Sequence, residues 1–161
     1  YYRGVCSASE KIGFVYLNSE EVPLGFVVGT SNPAGFYSRL LRRECLRFTF
    51  ASVSAVVKRP SIIPRLARAL LKKKKNPVGN DVAGLFSIGV LPEMQSHGIG
   101  KELVNMFLND AGKKNCKAVF LTTDRDNNEA VNAFYQRSGF KIKRQYVTPE
   151  GRRMNEYWIY L

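Results

Sequence analysis

The order of apolar and polar positions divides the chain into an irregular first half and a regular second half. Residues 11–18 and 24–29 carry Ile12, Phe14, Val15 and Leu17, then Phe26, Val27 and Val28. These are mostly good strand formers. The turn-like Asn18-Ser19-Glu20-Glu21 between them predicts a hairpin. Ser31-Asn32-Pro33-Ala34-Gly35 breaks the pattern. Residues 36–58 read as helical, with arginines among the apolar positions, and Pro60 and Pro64 interrupt the chain after them. A second helix is expected from Pro64, since proline is tolerated at a first helical position. Ile63, Leu66, Ala67, Leu70 and Leu71 give it an apolar stripe, with Arg65, Arg68, Lys72 and Lys75 on another face.

From residue 82 the elements alternate. A strand is predicted over 82–90 and a helix over 98–113, with Ile99, Leu103, Val104, Phe107 and Ala111 on its inner face. A strand over 118–123 and a helix over 128–138 come next, with Gly139 placed as a natural helix stop. Strands over 140–148 and 154–161 flank Pro149-Glu150-Gly151. The expectation is one α/β (α+β) domain over 1–161 with a helical insertion at about 31–81, and 161 residues suffice for such a core.

Charge sharpens the picture of the insertion. The chain carries a net charge of +12, and twelve basic residues against one acid, Glu44, lie between Arg39 and Lys75. The remainder is nearly neutral. Cys6, Cys45 and Cys116 are far apart and lack metal-ligand spacing, which predicts reduced thiols in a cytoplasmic protein and no metal. Cys116 is expected in the core. No apolar run reaches bilayer length. The opening Tyr1-Tyr2-Arg3 is not a signal peptide and lacks an initiator methionine, so a trimmed chain is expected.

Candidate chemistry lies between the strand at 82–90 and the helix at 98–113. In Gln95-Ser96-His97-Gly98-Ile99-Gly100, glycines let the backbone approach a ligand, and the helix start adds partial positive charge. A pyrophosphate is the natural guest, with Lys101 as a further contact. Glycines alone do not separate such a cradle from a turn that only starts a helix. Gly100-Lys101 is followed by Glu102 where the P-loop motif needs Ser or Thr, and the dinucleotide fingerprint would require glycine at Leu103. His97, the one histidine, is expected as a phosphate neighbour or a solvated side chain rather than a base.

Two longer motifs resemble the GNAT superfamily of acetyltransferases. The first is Val90-Leu91-Pro92 followed by Gln95-Ser96-His97-Gly98-Ile99-Gly100. The second is Asn128-Glu129-Ala130-Val131-Asn132-Ala133-Phe134-Tyr135 followed by Gly139-Phe140, with Val131 where the family usually has alanine. The resemblance covers roughly residues 11–30 and 82–161. It implies a mixed, partly antiparallel sheet flanked by helices, whose two central parallel strands splay to admit the pantetheine arm of acetyl-CoA. It places the backbone of Val90 at the thioester, residues 95–101 at the pyrophosphate and Asn128 beside the CoA arm, where Asn128 could equally serve only to start its helix. It makes Tyr135 the acid that protonates the departing thiolate.

The same resemblance leaves the general base unassigned. The branch that acetylates protein N-termini often has Glu twelve residues before the tyrosine, where this chain has Thr123. A threonine is no base near pH 7, although it can hold a water. Asp124, Asp126, Glu150 and Glu156 are the nearby carboxylates, each expected as a solvated charge. The family's first strand and one or two helices should precede residue 11, and too few residues stand there. Tyr1-Tyr2-Arg3 is expected as the tail of a lost helix. About fifty residues replace a usually short connection between the third and fourth strands.

These readings predict direct transfer of acetyl from acetyl-CoA to a primary amine, of a small molecule or amino sugar. Protein N-terminal or lysine acetylation is the second reading, and a non-catalytic CoA-binding adaptor the third, against which Tyr135 argues. With this kind of insertion the chain resembles GNAT members associated with bacterial surface-polysaccharide synthesis, which implies an amino sugar as acceptor. The segment 39–75 is expected as a packed helical hairpin, as a peripheral contact with an anionic membrane, or as a contact with an anionic partner or substrate. Nucleic acid is disfavoured, since no aromatic interleaving marks a stacking platform.

Overall fold

The computed structural model describes residues 2–4, 10–34, 79 and 81–161. The chain divides into two units, Tyr1–Pro33 with Gly79–Leu161, and Ala34–Val78. The described residues belong, Ala34 apart, to the first. Residues 35–78, most of the segment expected as a basic helical insertion, lie outside the described residues, and with them the contact expected of Arg39 to Lys75.

Strands β1 (Tyr2–Gly4), β2 (Lys11–Leu17), β3 (Pro23–Thr30), β4 (Val82–Val90), β5 (Ala118–Asp124), β6 (Lys141–Val147) and β7 (Arg153–Tyr160) form a seven-stranded sheet in the order β1-β2-β3-β4-β5-β7-β6. Among the described strands, only the pair β4 and β5 runs parallel. Helices α1 (Ile99–Lys113) and α2 (Glu129–Arg137) follow β4 and β5 respectively. The β2–β3 hairpin turns on Asn18, whose Oδ1 accepts from the amides of Glu20 (2.9 Å) and Val22 (2.8 Å). An Asx side chain that substitutes for backbone partners is the usual device of such a turn.

Residues 2–4 correct one expectation. They are a strand rather than a helix tail, paired antiparallel with β2 through Tyr2↔Tyr16, Arg3↔Val15 and Gly4↔Phe14. The partner supplies the order that three residues lack by themselves.

The five apolar residues expected on the inner face of α1 are the helix's five buried positions. They pack with Ile12, Val27, Ala83, Leu85, Val119 and Leu121 from the sheet, and Tyr135, Phe140 and Tyr157 extend the same cluster. Burial at helical spacing on α1 and in alternation on β3 is what the two periodicities demand. Both helices rest on this core, so the loops at the carboxyl ends of β4 and β5 are held by one rigid body of side chains.

Pairing between the parallel strands is short. It runs from Val82↔Ala118 to Gly84↔Phe120 and stops. Beyond it β4 continues to Val90 against β3, and β5 continues to Asp124 against β7. A gap therefore opens between the two strand ends, where the ladders among the described residues run from β4 to β3 and from β5 to β7. Unpaired strand edges offer amide and carbonyl groups to an extended guest.

Candidate active site

The mouth of the gap is capped by the turn from β4 into α1. A short 3₁₀ turn, Pro92–Met94, follows Val90 and uses the amide of Gln95, which donates to Pro92 O at 3.3 Å. Ser96 then adopts φ 66° and Gly98 φ 83°, both left-handed. Asn, Asp and Gly tolerate that region best, so the glycine at 98 relieves strain where the chain must turn into the helix. The first helical hydrogen bond is Glu102 N to Gly98 O at 3.1 Å. Among the described residues, the six amides of residues 96–101 donate to no backbone carbonyl and α1 has no side-chain N-cap. A helix start with unpaired donors and a positive dipole end fits an anion. Gly100 faces the second helix: a Cβ there would stand 3.2 Å from the Phe134 ring.

The remaining sequence-predicted residues take distinct places. Gln95 Nε2 reaches the Val90 carbonyl at 3.4 Å, so side chain and turn brace the end of β4. Ile99 is buried in the core and contributes through its backbone. Lys101 is exposed on the first turn of α1. His97 Nδ1 lies 2.8 Å from Gln95 O. A carbonyl only accepts, so Nδ1 carries the hydrogen of this bond. The ring lines a cavity of about 430 Å³ with Tyr16, Asn18, Leu24, Met94 and Ile99.

Tyr135 sits on α2, one stripe along from Asn128 and Asn132. It is buried, with its ring 5.3 Å from Phe134 and 5.9 Å from both Phe140 and Tyr157. Its hydroxyl has no hydrogen-bond partner among the described residues, yet it is not a sealed, unpaired atom. Burial pushes the phenol above its ordinary value, so it stays protonated at neutral pH. A neutral phenol with an uncommitted hydrogen can serve as an acid.

Asn128 does more than start a helix. Its side chain makes no cap. Instead Nδ2 donates to Thr123 Oγ1 at 2.8 Å and to Asp124 O at 3.0 Å. Three residues absent from the sequence-predicted set join this pair. Asn132 Nδ2 donates to Asp124 O (3.0 Å) and Asn128 O (2.7 Å), while its Oδ1 accepts from Asn155 Nδ2 (2.8 Å) and the Tyr157 hydroxyl (2.9 Å). The one available signal was a polar residue four after Asn128 and three before Tyr135, on the same helical stripe.

The nearby carboxylates are engaged. Arg152 holds Asp124 through two bonds, at 2.6 and 3.0 Å, and Arg153 holds Asp126 likewise, at 2.6 and 2.8 Å. These hydrogen bonds lower both carboxyls below their ordinary value. Glu156 pairs with Arg144 at 2.8 Å and accepts from Trp158 Nε1. A carboxylate so held has little affinity for an ammonium proton. Because the folded values are lowered, any stabilisation by the two aspartates is complete above the unfolded value near 3.9 and is lost only as pH falls through the folded values. Asp124→Asn and Asp126→Asn are therefore expected to keep most of the turnover, with unchanged rate profiles between about pH 5 and 8. Steady-state rates across that range check this; a lost acidic limb in either variant would identify the base.

The Acetyltransferase (GNAT) family model matches residues 4–140. The chain belongs to this acetyltransferase family. N-alpha-acetyltransferase 60 of Danio rerio is 35% identical over 68 residues, which are 40% of this chain and 28% of that protein. The chain thus spans less than a third of that relative's length. Among solved structures, a putative streptothricin acetyltransferase from Bacillus anthracis in complex with acetyl coenzyme A is 16% identical, with a TM-score of 0.63, covering 96% of this chain and 65% of that one. The ribosomal-protein-S18-alanine N-acetyltransferase of Escherichia coli is also 16% identical, with a TM-score of 0.54 over 96% of this chain and 71% of that one. These structures share the GNAT fold. No described helix is long and apolar enough to cross a membrane.

Proposed function

We propose that this GNAT domain transfers the acetyl group of acetyl-CoA directly to a primary amine. The observation that carries the reading is the run of unpartnered amides at residues 96–101, at the mouth of the β4–β5 gap. The amides, with Lys101 nearby, receive the pyrophosphate. The gap takes the pantetheine arm along the end of β4, and brings the thioester toward Val90 and Tyr135. The amine nitrogen attacks the thioester carbonyl carbon, the C–N bond forms and the C–S bond breaks. Tyr135 gives its proton to the departing sulfur, and the nitrogen gives its surplus proton to water. The acetyl complex of the Bacillus anthracis neighbour supports this cosubstrate.

Direct transfer is favoured over an acetylated enzyme. Cys116 is buried and its thiol is pushed up, first by burial and then by the Asp81 charge, which leaves little thiolate to act as a nucleophile. The acceptor we favour is a small molecule or amino sugar, because the carboxylates near Thr123 are held by arginines and leave a neutral amide and hydroxyl lining. A bacterial, cytoplasmic setting in surface-polysaccharide synthesis belongs to that reading. The resemblance to an N-alpha-acetyltransferase favours a second one, a protein N-terminus. The test mixes the acetyl-CoA complex with a panel of amines and follows thiol release with N-acetyl product.

A further inference from the structure

The side-chain network behind Tyr135 has one hydrogen-bond direction, and two backbone carbonyls fix it. Asp124 O and Asn128 O can only accept, so the atom of Asn132 facing them is Nδ2. Its Oδ1 must then face Asn155 and Tyr157, which requires Asn155 to present Nδ2. Asn155 Oδ1 in turn accepts from Gln145 Nε2 at 2.9 Å. Turning over any one amide would set donor against donor or acceptor against acceptor in a half-buried place, at a penalty that no partner offsets. The same rule reaches the other end of the network. Asn128 must present Nδ2 to Asp124 O, so Thr123 Oγ1 is the acceptor of the second Asn128 hydrogen.

That leaves the Thr123 hydroxyl hydrogen pointing away from Asn128. Among the described residues it has no acceptor, and Thr123 is half-exposed where β5 walls the gap. We infer that Thr123 is a specificity-determining hydrogen-bond donor to the acceptor substrate, and that this substrate is an amine bearing an oxygen close to its nitrogen. The inference rests on the acetyltransferase reading and deepens it. The donor cannot engage the amine nitrogen productively, because that lone pair must be free to attack the thioester. It needs a second, oxygen acceptor on the same molecule: the hydroxyl of a vicinal amino alcohol or the carbonyl of an α-amino amide. Asn132 is the positioning residue, since among the described residues it alone connects the helix, both strands and the Tyr157 hydroxyl.

The test compares wild type with Thr123→Val, which keeps the shape and removes both the donor to substrate and the acceptor of Asn128 Nδ2, the second loss acting alike on every amine. The probes are 2-aminocyclohexanol with cyclohexylamine, and alaninamide with isopropylamine. Oxygen near nitrogen also lowers amine basicity, so the informative quantity is the change in kcat/KM from wild type to variant on each probe. A lost hydrogen bond to substrate predicts a fall on the oxygen-bearing member of at least one pair that exceeds the fall on its plain partner by about 10- to 100-fold. Thr123→Ser, which keeps both hydrogen bonds, should restore most of it, with the KM for acetyl-CoA as in wild type. The pair that responds separates an amino alcohol from an amino amide. Equal effects of Thr123→Val on oxygen-bearing and plain amines would overturn the inference. A wild type that binds no CoA would remove the acetyltransferase reading itself, and the inference with it.

Discussion

Gly98→Asp is expected to weaken CoA binding by about 100-fold or more while the domain stays folded. Space is not the obstacle, since a Cβ at Gly98 would meet no atom within 4 Å. The backbone there has φ 83°, which Asp and Asn tolerate better than other side chains. What changes is charge. A carboxylate about 4 Å from a phosphate oxygen opposes it by about 4 kcal/mol at an effective permittivity near 20, and exposure to solvent reduces that. Half of it corresponds to about 30-fold, and loss of the dipole's advantage adds to this. Gly98→Asn is the neutral control and should keep most of the affinity. Calorimetry with CoA, alongside a thermal melt of each variant, checks both. Equal affinity in wild type and Gly98→Asp would show that the pyrophosphate lies elsewhere. Gly100→Asp should also abolish binding but is a poorer test, because its Cβ would press on Phe134 at 3.2 Å and disturb the contact between α1 and α2.

Tyr135→Phe should lower the single-turnover rate by about 100-fold or more with CoA affinity nearly unchanged. The ring contacts with Phe134, Phe140 and Tyr157 survive the substitution, and no hydrogen bond among the described residues is lost. The variant therefore removes one proton and little else. Wild-type rates should hold as pH rises past neutrality and fall only as the phenol ionises, above its ordinary value near 10, because burial raises it. Rapid-mixing rates on the best panel amine give the answer. A variant as fast as wild type would leave Tyr135 as packing alone.

The parts of this fold legible in the sequence are those whose cause is local. The stripe from Ile99 to Ala111 has a helical period, and those five residues are the buried ones. The strand at 82–90 ends where Pro92 enforces a turn, and its bounds agree with β4. Strand β1 was illegible because three residues carry no period, and its order comes from β2. The same reason hides the polar network. Asn132 meets Asn155 and Tyr157 only through the register of β5 and β7, more than twenty residues away in sequence. The arginine partners of Asp124 and Asp126 are as distant, which is why those carboxylates read as solvated charges. In the turn from β4 into α1, residue types named the candidates. The geometry adds the left-handed turn at Ser96 and Gly98 and the uncommitted amides behind it.

The central claim is direct acetyl transfer from a CoA thioester held between the β4 turn and Tyr135. The decisive measurement is a rapid-quench single turnover, in which the preformed acetyl-CoA complex meets a panel amine and product, free thiol and intact protein mass are followed together. The account predicts that N-acetyl product and CoA thiol appear with one rate constant and that the protein mass never rises by an acetyl group. An acetylated protein that forms before product, or thiol release without amide formation on any amine, would contradict it.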